Sequence, residues 1–282
     1  MIVYLNGEWL DASAAAIPIS DRGFLIADGV FETGRLHKGR YFRLDEHLDR
    51  FAESARQLNL APPSETELRA IALELVERNN LQDGSLRVLL TRGSGGRGLD
   101  TRGAGPQTLL ATLTPIAADW QQRAAQGWHI IVAQTRRPSP LSVPSQLKAL
   151  GRVYALLAHL EAEAAGVDDA LLLSADGFIA EGPTWNFFWR VGQTVRTASL
   201  EAGILEGLTR RIILRLAQEA GYQIEEGLWP PEDLSSADEA FASMTSVGIV
   251  PIRSVGATPY RSNDCAGWLQ QRYWDFVEES LG

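Results

Sequence analysis

Residues 169–190 read DALLLSADGFIAEGPTWNFFWR, and this stretch decides the fold class. Residues 169–173 and 187–190 are short apolar runs bounded by turn-forming residues, which predicts two buried β-strands. Residues 178–180 predict a third short strand between them. Glu181 follows that strand directly, so an acidic side chain is expected at the end of a buried sheet element.

The other elements of the second half follow from apolar periodicity. Helices are predicted at about residues 152–165 and 208–220, and a further helix ends the chain. Additional strands are predicted at residues 129–133, 195–197, 223–226, 240–243 and 249–252. This half therefore combines a many-stranded sheet with helices.

The first half also mixes strands with helices. Asn6-Gly7 predicts a hairpin with a primed turn over residues 3–10, and Ser64 with Glu67 forms a capping box before a helix. The other predicted elements are a hairpin over residues 30–42, helices with apolar positions at 48–58 and 68–76, and strands at 86–91 and 108–113. The resulting α+β prediction has a small domain over residues 1–116, a linker over 117–123 and a larger domain over 124–282.

Length, charge and cysteine content argue against several classes of protein. The chain has 282 residues, 45% of them hydrophobic, which suits a globular enzyme. The formal net charge of −9 argues against binding to nucleic acid or to an anionic membrane surface. A single cysteine, Cys265, and four histidines without metal-ligand spacing predict neither a disulfide nor a metal site. No stretch reads as a signal peptide or a membrane span, so a cytoplasmic location is expected.

Lysine is almost absent from this chain. Of 26 Lys and Arg residues, only Lys38 and Lys148 are lysine. Lys38 lies in a polar turn, whereas Lys148 lies among apolar residues just before a predicted helix. Arginine cannot replace a lysine that must supply a neutral amine, because a guanidinium group does not lose its proton near neutral pH. Lys148 is therefore a candidate Schiff-base nucleophile; the alternative is an ordinary lysine at a helix start.

Three further features would complete a site for a phosphorylated aldehyde cofactor. Glu181 offers a carboxylate that can pair with a pyridinium ring. Residues 207–210 open a helix, where amide groups and the hydroxyl group of Thr209 favour a phosphate. Arg50 offers a guanidinium fork to the same anion. Each feature alone also has an ordinary explanation, as a surface carboxylate, a helix cap or a solvated arginine.

Taken in order, these segments resemble motifs of the class IV pyridoxal-phosphate aminotransferases, the enzymes of fold type IV. The matching segments are residues 21–32 (DRGFLIADGVFE), 46–51 (EHLDRF), 145–148 (SQLK), 170–188 (ALLLSADGFIAEGPTWNFF), 202–210 (AGILEGLTR) and 237–246 (ADEAFASMTS). The resemblance covers nearly the whole chain. The family contains branched-chain and D-amino acid aminotransferases, (R)-selective amine transaminases and 4-amino-4-deoxychorismate lyases.

The resemblance implies a small α+β N-terminal domain, a larger pseudo-barrel C-terminal domain and the cofactor pyridoxal 5′-phosphate (PLP). It implies a Schiff base at Lys148, a contact of Glu181 with the ring nitrogen and packing of Leu205 on the ring. The residues implied to bind the cofactor phosphate are Arg50, Leu208, Thr209 and Thr245. The implied activity is ping-pong transamination between an amino acid, or a primary amine, and a 2-keto acid. Family members are at least homodimers, with active sites near the interface.

The residues expected on the substrate side follow no single subfamily. Val153 stands where branched-chain enzymes carry a tyrosine, and only Arg97 remains of the carboxylate clamp of D-amino acid enzymes. Arg97 is the candidate for a substrate carboxylate and Phe31 for an apolar wall. Trp185 and Ser246 are the remaining candidates, although Trp185 is more typical of a core residue. The predicted function is a transaminase of D-amino acid, (R)-amine or branched-chain type.

Three alternatives remain open at this point. A 4-amino-4-deoxychorismate lyase would use the same cofactor and lysine but eliminate pyruvate, and residues 92–98 (RGSGGRG) are similar to those enzymes. A cofactor-binding protein without catalysis would have no need to keep Lys148, Glu181 and Thr209 together. An aldolase that uses a lysine without PLP would leave the phosphate-type turns unexplained.

Overall fold

A computed structural model describes residues 1–281 of the chain. These residues form two compact units. The first comprises residues 1–116, residues 147–151 and Leu281, and the second comprises residues 117–146 and 152–280. This division differs from the one based on sequence, which placed residues 147–151 in the second domain. The reason is a backbone pairing that no local pattern reveals, because it joins residues more than a hundred positions apart.

The first unit is built on one antiparallel sheet covered by helices. Its elements are β1 (Ile2–Leu5), β2 (Glu8–Asp11), α1 (Arg22–Ile26), β3 (Gly29–His37), β4 (Arg40–Phe42), α2 (Leu44–Gln57), α3 (Glu65–Asn79), β5 (Gly84–Thr91) and β6 (Thr108–Pro115). The strand order is β2-β1-β6-β5-β3-β4, with every neighbouring pair antiparallel.

Local sequence signals account for much of this unit. The predicted primed turn is confirmed, because Asn6 and Gly7 have φ values of 52° and 94°. The predicted helix cap is confirmed, because the amide of Glu67 donates to the Ser64 hydroxyl over 3.2 Å. The apolar faces of α2 and α3 are buried with those of the central strands, and the core residues include Leu48, Phe51, Leu68, Leu75, Val88 and Leu113.

The second unit is built on a mixed sheet. Its elements are α4 (Trp120–Gln126), β7 (Trp128–Arg136), α5 (Val153–Ala165), β8 (Asp169–Leu173), β9 (Asn186–Val191), β10 (Thr194–Ala198), α6 (Leu208–Glu219), β11 (Gln223–Gly227), β12 (Glu239–Met244), β13 (Gly248–Val255), β14 (Thr258–Pro259) and α7 (Asp264–Leu281), with 3-10 turns at Leu200–Ala202 and Pro231–Ser236. The strand order is β11-β10-β9-β12-β13-β7-β8, with β14 beside β13. The pairs β10–β11, β13–β7 and β7–β8 are parallel.

Two predictions for this unit differ from the structure. Residues 117–123 were expected to form a linker, but α4 begins within them at Trp120, which is buried beside Trp274. Residues 178–180 were expected to form a strand, but only Ile179 makes a bridge, to Leu173. Backbone hydrogen bonds still join this segment to β8, because the amide of Ala180 donates to the carbonyl oxygen of Leu172 over 3.1 Å. Among residues 1–281, no helix is long and apolar enough to cross a membrane.

Candidate active site

Lys148 lies beside the start of β3. The strand β4 pairs only with the far end of β3, so the edge of β3 at its first residues is available to residues 148–150. The amide of Phe31 donates to the carbonyl oxygen of Lys148 over 3.1 Å, and the amide of Lys148 donates to the Ser54 hydroxyl over 3.2 Å. The side chain of Lys148 is half-buried, with Nζ 4.8 Å from the centre of the Phe31 ring. The two predicted residues Lys148 and Phe31 are therefore neighbours.

A buried carboxylate, Glu32, lies next to Phe31 on the same strand. Its side chain is 2% exposed. Arg50 donates from Nε to Oε2 and from Nη2 to Oε1, each over 2.8 Å. His47 Nδ1 donates to Oε1 over 3.2 Å. The amide of Thr33 adds a further bond of 2.8 Å. Arg50 thus bonds Glu32, and the phosphate contact expected of Arg50 stays a prediction.

The charges around Glu32 decide its ionisation. Burial alone would raise the pKa of Glu32, but the positive charges of Arg50 and Lys148 and the hydrogen bonds it accepts lower this pKa well below its ordinary value. Burial lowers the pKa of His47, although its bond to Glu32 acts in the opposite direction. Near neutral pH, Glu32 is therefore negatively charged and His47 is neutral. Glu32 was not among the predicted site residues; a glutamate inside the apolar run VFE was the available signal.

The glycine-rich loop between β5 and β6 is anchored by ion pairs to the half-buried Asp28. Arg22 donates to Asp28 over 2.7 Å and to the carbonyl oxygen of Gly98 over 3.0 Å. Arg92 also donates to Asp28, over 2.8 Å and 3.0 Å. Burial raises and the hydrogen bonds from these two arginines lower the pKa of Asp28, and the net shift is downward. Arg97, predicted to grip a substrate carboxylate, is an exposed residue of this loop.

Glu181 is buried in the second unit. Its side chain is 4% exposed. Arg137 donates to Oε1, while Asn186 Nδ2 and the amide of Leu205 donate to Oε2 over 2.9 Å and 3.0 Å. The backbone of Glu181 is fixed as well, because its carbonyl oxygen accepts from the amide of Leu172 over 3.0 Å. The carboxylate therefore has a defined position before any ligand binds.

Arg137 was not predicted, although it connects several parts of this site. It is 6% exposed and follows the last residue of β7. Besides Glu181, it donates to the carbonyl oxygen of Gly203 and to the hydroxyl group of Tyr154, the latter over 3.2 Å. The adjacent sequence Arg136-Arg137-Pro138 carries no motif, so only the tertiary contacts identify this residue.

The predicted phosphate turn lies at the N-terminus of α6. Gly207 is the N-cap residue, and Leu208 and Thr209 form the first buried positions of the helix. A glycine has no side chain to cap the first amides, which leaves them for an anion. A Cβ atom on Gly207 would lie 2.1 Å from Asn186 Oδ1, so the turn requires glycine. Gln146 braces the preceding residues by accepting from the amide of Glu206 over 2.9 Å.

The remaining predicted residues have different surroundings. Thr245 and Ser246 are half-buried in the turn between β12 and β13. Leu205 is half-buried and uses its amide to bond Glu181. Trp185 is 3% exposed and belongs to the hydrophobic core, where its ring lies 6.2 Å from that of Phe187. The structure thus favours the core interpretation of Trp185 over a substrate contact.

These features fit the chemical groups of PLP. Lys148 provides an amine, and Glu181 provides a buried carboxylate that accepts hydrogen bonds. Residues 207–209 provide a helix N-terminus without a side-chain cap. The aldehyde, ring nitrogen and phosphate of the cofactor need one group of each kind. The close approach at Gly207 shows that this turn is built without room for a side chain.

Comparison with known proteins identifies the same chemistry. The family described as Amino-transferase class IV matches residues 29–255. A putative branched-chain-amino-acid aminotransferase of Methanocaldococcus jannaschii is 36% identical over 253 residues, which are 89% of this chain and 87% of the relative. A D-alanine aminotransferase of Bacillus licheniformis is 32% identical over 258 residues (90% and 88%). An aminodeoxychorismate lyase of Bacillus subtilis is 30% identical over 277 residues (96% and 93%).

Solved structures agree with this match. The branched-chain amino acid aminotransferase of Escherichia coli superimposes with a TM-score of 0.92 at 26% identity, over 98% of this chain and 94% of that chain. The branched-chain aminotransferase of Thermoproteus uzoniensis with norvaline has a TM-score of 0.92 at 28% identity, over 99% and 95%. The predicted fold type IV is therefore confirmed, and the chain belongs to the class IV aminotransferases.

Proposed function

We propose that Lys148 is the residue to which PLP attaches in this aminotransferase, and that Glu181 pairs with the ring nitrogen of the cofactor. Class IV aminotransferases use PLP. The observation that carries the assignment is the position of Lys148, whose amine lies beside the Phe31 ring and close enough to Glu32 to lower the pKa of that carboxyl group. The other lysine, Lys38, is exposed in the turn between β3 and β4.

The proposed chemistry divides between the two residues. When bound, PLP supplies an aldehyde that condenses with amines and a ring that withdraws electrons from the substrate Cα. The Lys148 amine would take the proton from that Cα as general base and, once protonated, would give it as general acid to the carbon that PLP supplies as its aldehyde. Glu32 provides a fixed negative charge near the amine, and Arg50 compensates most of it through two hydrogen bonds. Glu181 accepts the N–H of the ring nitrogen.

Phosphate binding is assigned to the N-terminus of α6. The amides of Leu208 and Thr209 and the helix dipole favour an anion, and the Thr209 hydroxyl can add a bond. Thr245 remains a second candidate for this role. Arg50 is a third candidate, because its two bonds to Glu32 use two of the five N–H donors of a guanidinium group.

For the substrate, we propose an amino acid with a branched apolar side chain and a 2-keto acid as acceptor. The support is the 36% identity to a putative branched-chain-amino-acid aminotransferase and the aromatic ring of Phe31 beside the reactive amine. An amino acid of D configuration is the second candidate, supported by the 32% identity to a D-alanine aminotransferase. For that substrate, Arg97 is the candidate for the carboxylate.

Two experiments test these assignments. Borohydride reduction of the holoenzyme followed by peptide mapping is expected to label Lys148; a label at Lys38, or none, would show that the assignment is wrong. A panel of D- and L-amino acids with (R)- and (S)-1-phenylethylamine, read from the cofactor absorption, identifies the donor. Turnover of L-leucine or L-valine is expected. Release of p-aminobenzoate from 4-amino-4-deoxychorismate without amine exchange would support the lyase instead.

We also propose that the enzyme is a homodimer whose subunits meet through α5. The exposed face of this helix carries Val153, Leu156, Leu157 and Leu160, at the spacing of one helical stripe. Exposed apolar stripes of this kind commonly mark protein interfaces. Leu156→Glu with Leu160→Glu is expected to give a monomer in light scattering, whereas Leu73→Glu, an exposed leucine on α3, serves as the control. An unchanged mass in the double variant would place the contact elsewhere.

A cytoplasmic location is the last part of the proposal. Its support is the single cysteine, which is buried and has no disulfide partner. Fractionation of the source cells into cytoplasmic and other fractions, with detection of the native protein, checks this location.

A further inference from the structure

Trp185 is fixed in the core of the second unit by a charged partner. Its indole Nε1 donates to Asp169 Oδ2 over 2.6 Å. Asp169 is itself buried, and its other oxygen accepts from the amide of Ala170 over 2.9 Å and contacts His159 Nδ1 at 3.0 Å. Because hydrogen bonds to charged acceptors are stronger and more directional than packing, the indole ring is held in one orientation.

The ring of Trp185 in turn supports the backbone at Gly182. A Cβ atom on Gly182 would lie 1.9 Å from Cε2 of the indole and 2.3 Å from Cδ2, so the glycine backbone rests directly on the ring. The amide of Gly182 donates to the carbonyl oxygen of Trp185 over 2.8 Å and closes the turn. A shift of the ring therefore moves residue 182.

Glu181 is the residue before Gly182, and Asn186 is the residue after Trp185. Asn186 is one of the donors to the Glu181 carboxylate, over 2.9 Å, and the two residues form a backbone bridge. The indole thus lies inside a turn that carries the carboxylate on one side and its amide partner on the other.

We propose that Asp169 and Trp185 form a positioning pair that fixes the carboxylate of Glu181 for the ring nitrogen of PLP. This inference rests on the role proposed above for Glu181. It assigns Trp185 to the cofactor side of the reaction, through Glu181, and not to contact with the substrate.

The test compares Trp185→Phe in the full-length enzyme and in a Glu181→Gln background. Phenylalanine keeps an aromatic ring on Gly182 but leaves Asp169 without the indole donor. The dissociation constant of PLP is expected to rise about tenfold, the equivalent of losing one hydrogen bond to a charged group. The value of kcat should fall while KM for the amino donor changes little. In the Glu181→Gln background, Trp185→Phe should add no further loss of PLP binding.

Trp229→Phe is the matched control. The indole of Trp229 also donates a hydrogen bond, over 3.0 Å to the carbonyl oxygen of Thr197, and also lies against a glycine, Gly227. Trp229→Phe should lower the urea midpoint about as much as Trp185→Phe does, but should leave the affinity for PLP unchanged. Asp169→Asn, which keeps the shape of the partner and removes its charge, should weaken PLP binding in the same direction but less. This variant provides a second test if Trp185→Phe does not fold.

The outcomes separate this inference from the proposed function. If Glu181→Gln alone leaves PLP affinity unchanged, the role of Glu181 is wrong and the positioning pair falls with it. If Glu181→Gln weakens PLP binding but neither Trp185→Phe nor Asp169→Asn does, only the positioning pair is wrong. An equal loss from Trp185→Phe in both backgrounds would also overturn it, because the effect would then not pass through Glu181.

Discussion

Glu32 and Glu181 are both almost completely buried, yet they acquire their partners in different ways. Glu32 is bound by side chains of α2, which follows β3 within a few residues. The donors to Glu181 are Arg137, Asn186 and Leu205, which come from three separate segments of the second unit. The side chains that bond Glu32 thus come from one helix, whereas the donors to Glu181 come from three segments.

This difference has consequences for both stability and chemistry. His47 and Arg50 are both carried by α2, so they are in place once this helix has formed. The result is an ion pair between Glu32 and Arg50. The partners of Glu181 meet only when the strands and turns around it are assembled, and the result is a carboxylate fixed from three directions. We therefore expect changes at Glu181 to affect the reaction most and changes at Glu32 to affect the free energy of unfolding most.

The largest expected effect comes from Glu181→Ala. Loss of the carboxylate removes the partner proposed for the ring nitrogen, so kcat should fall by about 10²- to 10³-fold, the size seen when one positioned polar group is lost from an active site. Steady-state kinetics on protein saturated with PLP measures it. Glu239→Ala is the control. Glu239 is also buried and paired with an arginine, Arg190, but its carboxylate accepts from the start of α7 and has no proposed role in the reaction. It should lower stability while the folded fraction keeps its kcat; a similar kcat loss in both variants would contradict the proposed role.

The next effect concerns the free energy of unfolding. Glu32→Ala removes the carboxylate to which Arg50 donates two bonds and should cost about 3 kcal/mol, as for other buried ion pairs that lose one member. Arg50→Ala should cost a similar amount. The double variant should cost clearly less than the two losses added together, because both members of the pair are then absent. Urea unfolding of all four proteins measures this cycle, and strictly additive losses would show that the pair is not coupled.

His47 gives a smaller effect that depends on pH. Its pKa in the folded protein lies below the ordinary value of 6.5, chiefly because of burial. As the pH falls, His47 therefore takes up a proton near pH 6.5 in the unfolded chain but not in the folded one. The free energy of unfolding keeps its full value above pH 6.5 and decreases as the pH falls towards the folded pKa of His47. The slope should be at most about 1.4 kcal/mol per pH unit. In His47→Gln, the urea midpoint should fall less between pH 7.5 and pH 5.5 than in the unchanged protein.

His159 should show the smallest effect, with the opposite sign. A hydrogen bond to Asp169 raises the pKa of His159 above 6.5. Its contribution to stability is therefore fully present below pH 6.5 and is lost as the pH rises through the folded pKa. The melting temperature of His159→Gln should lie below that of the unchanged protein at pH 5.5 and approach it at pH 8. A difference that grows with pH would contradict this assignment.

The outcome at individual residues shows how far sequence reasoning reaches. Lys148 stood out because arginine replaces lysine nearly everywhere else, and Glu181 because of its place in an ordered set of motifs. Arg50 was noted from its sequence motif, but its two bonds to Glu32 were not predicted, since that motif does not contain Glu32. Arg137 escaped notice because its contacts with Glu181, Gly203 and Tyr154 come from distant parts of the chain.

The amino-acid sequence by itself determined the family, the α+β class, the cofactor and the local elements, because motifs, caps and turns depend on residues close together along the chain. Only the tertiary structure decided that residues 147–151 pair with β3, that Arg50 binds Glu32, and that the Trp185 ring lies against Gly182. These contacts depend on the direction and distance between groups in the folded chain. Hydrophobic periodicity predicts which faces are buried, but not which polar groups meet there.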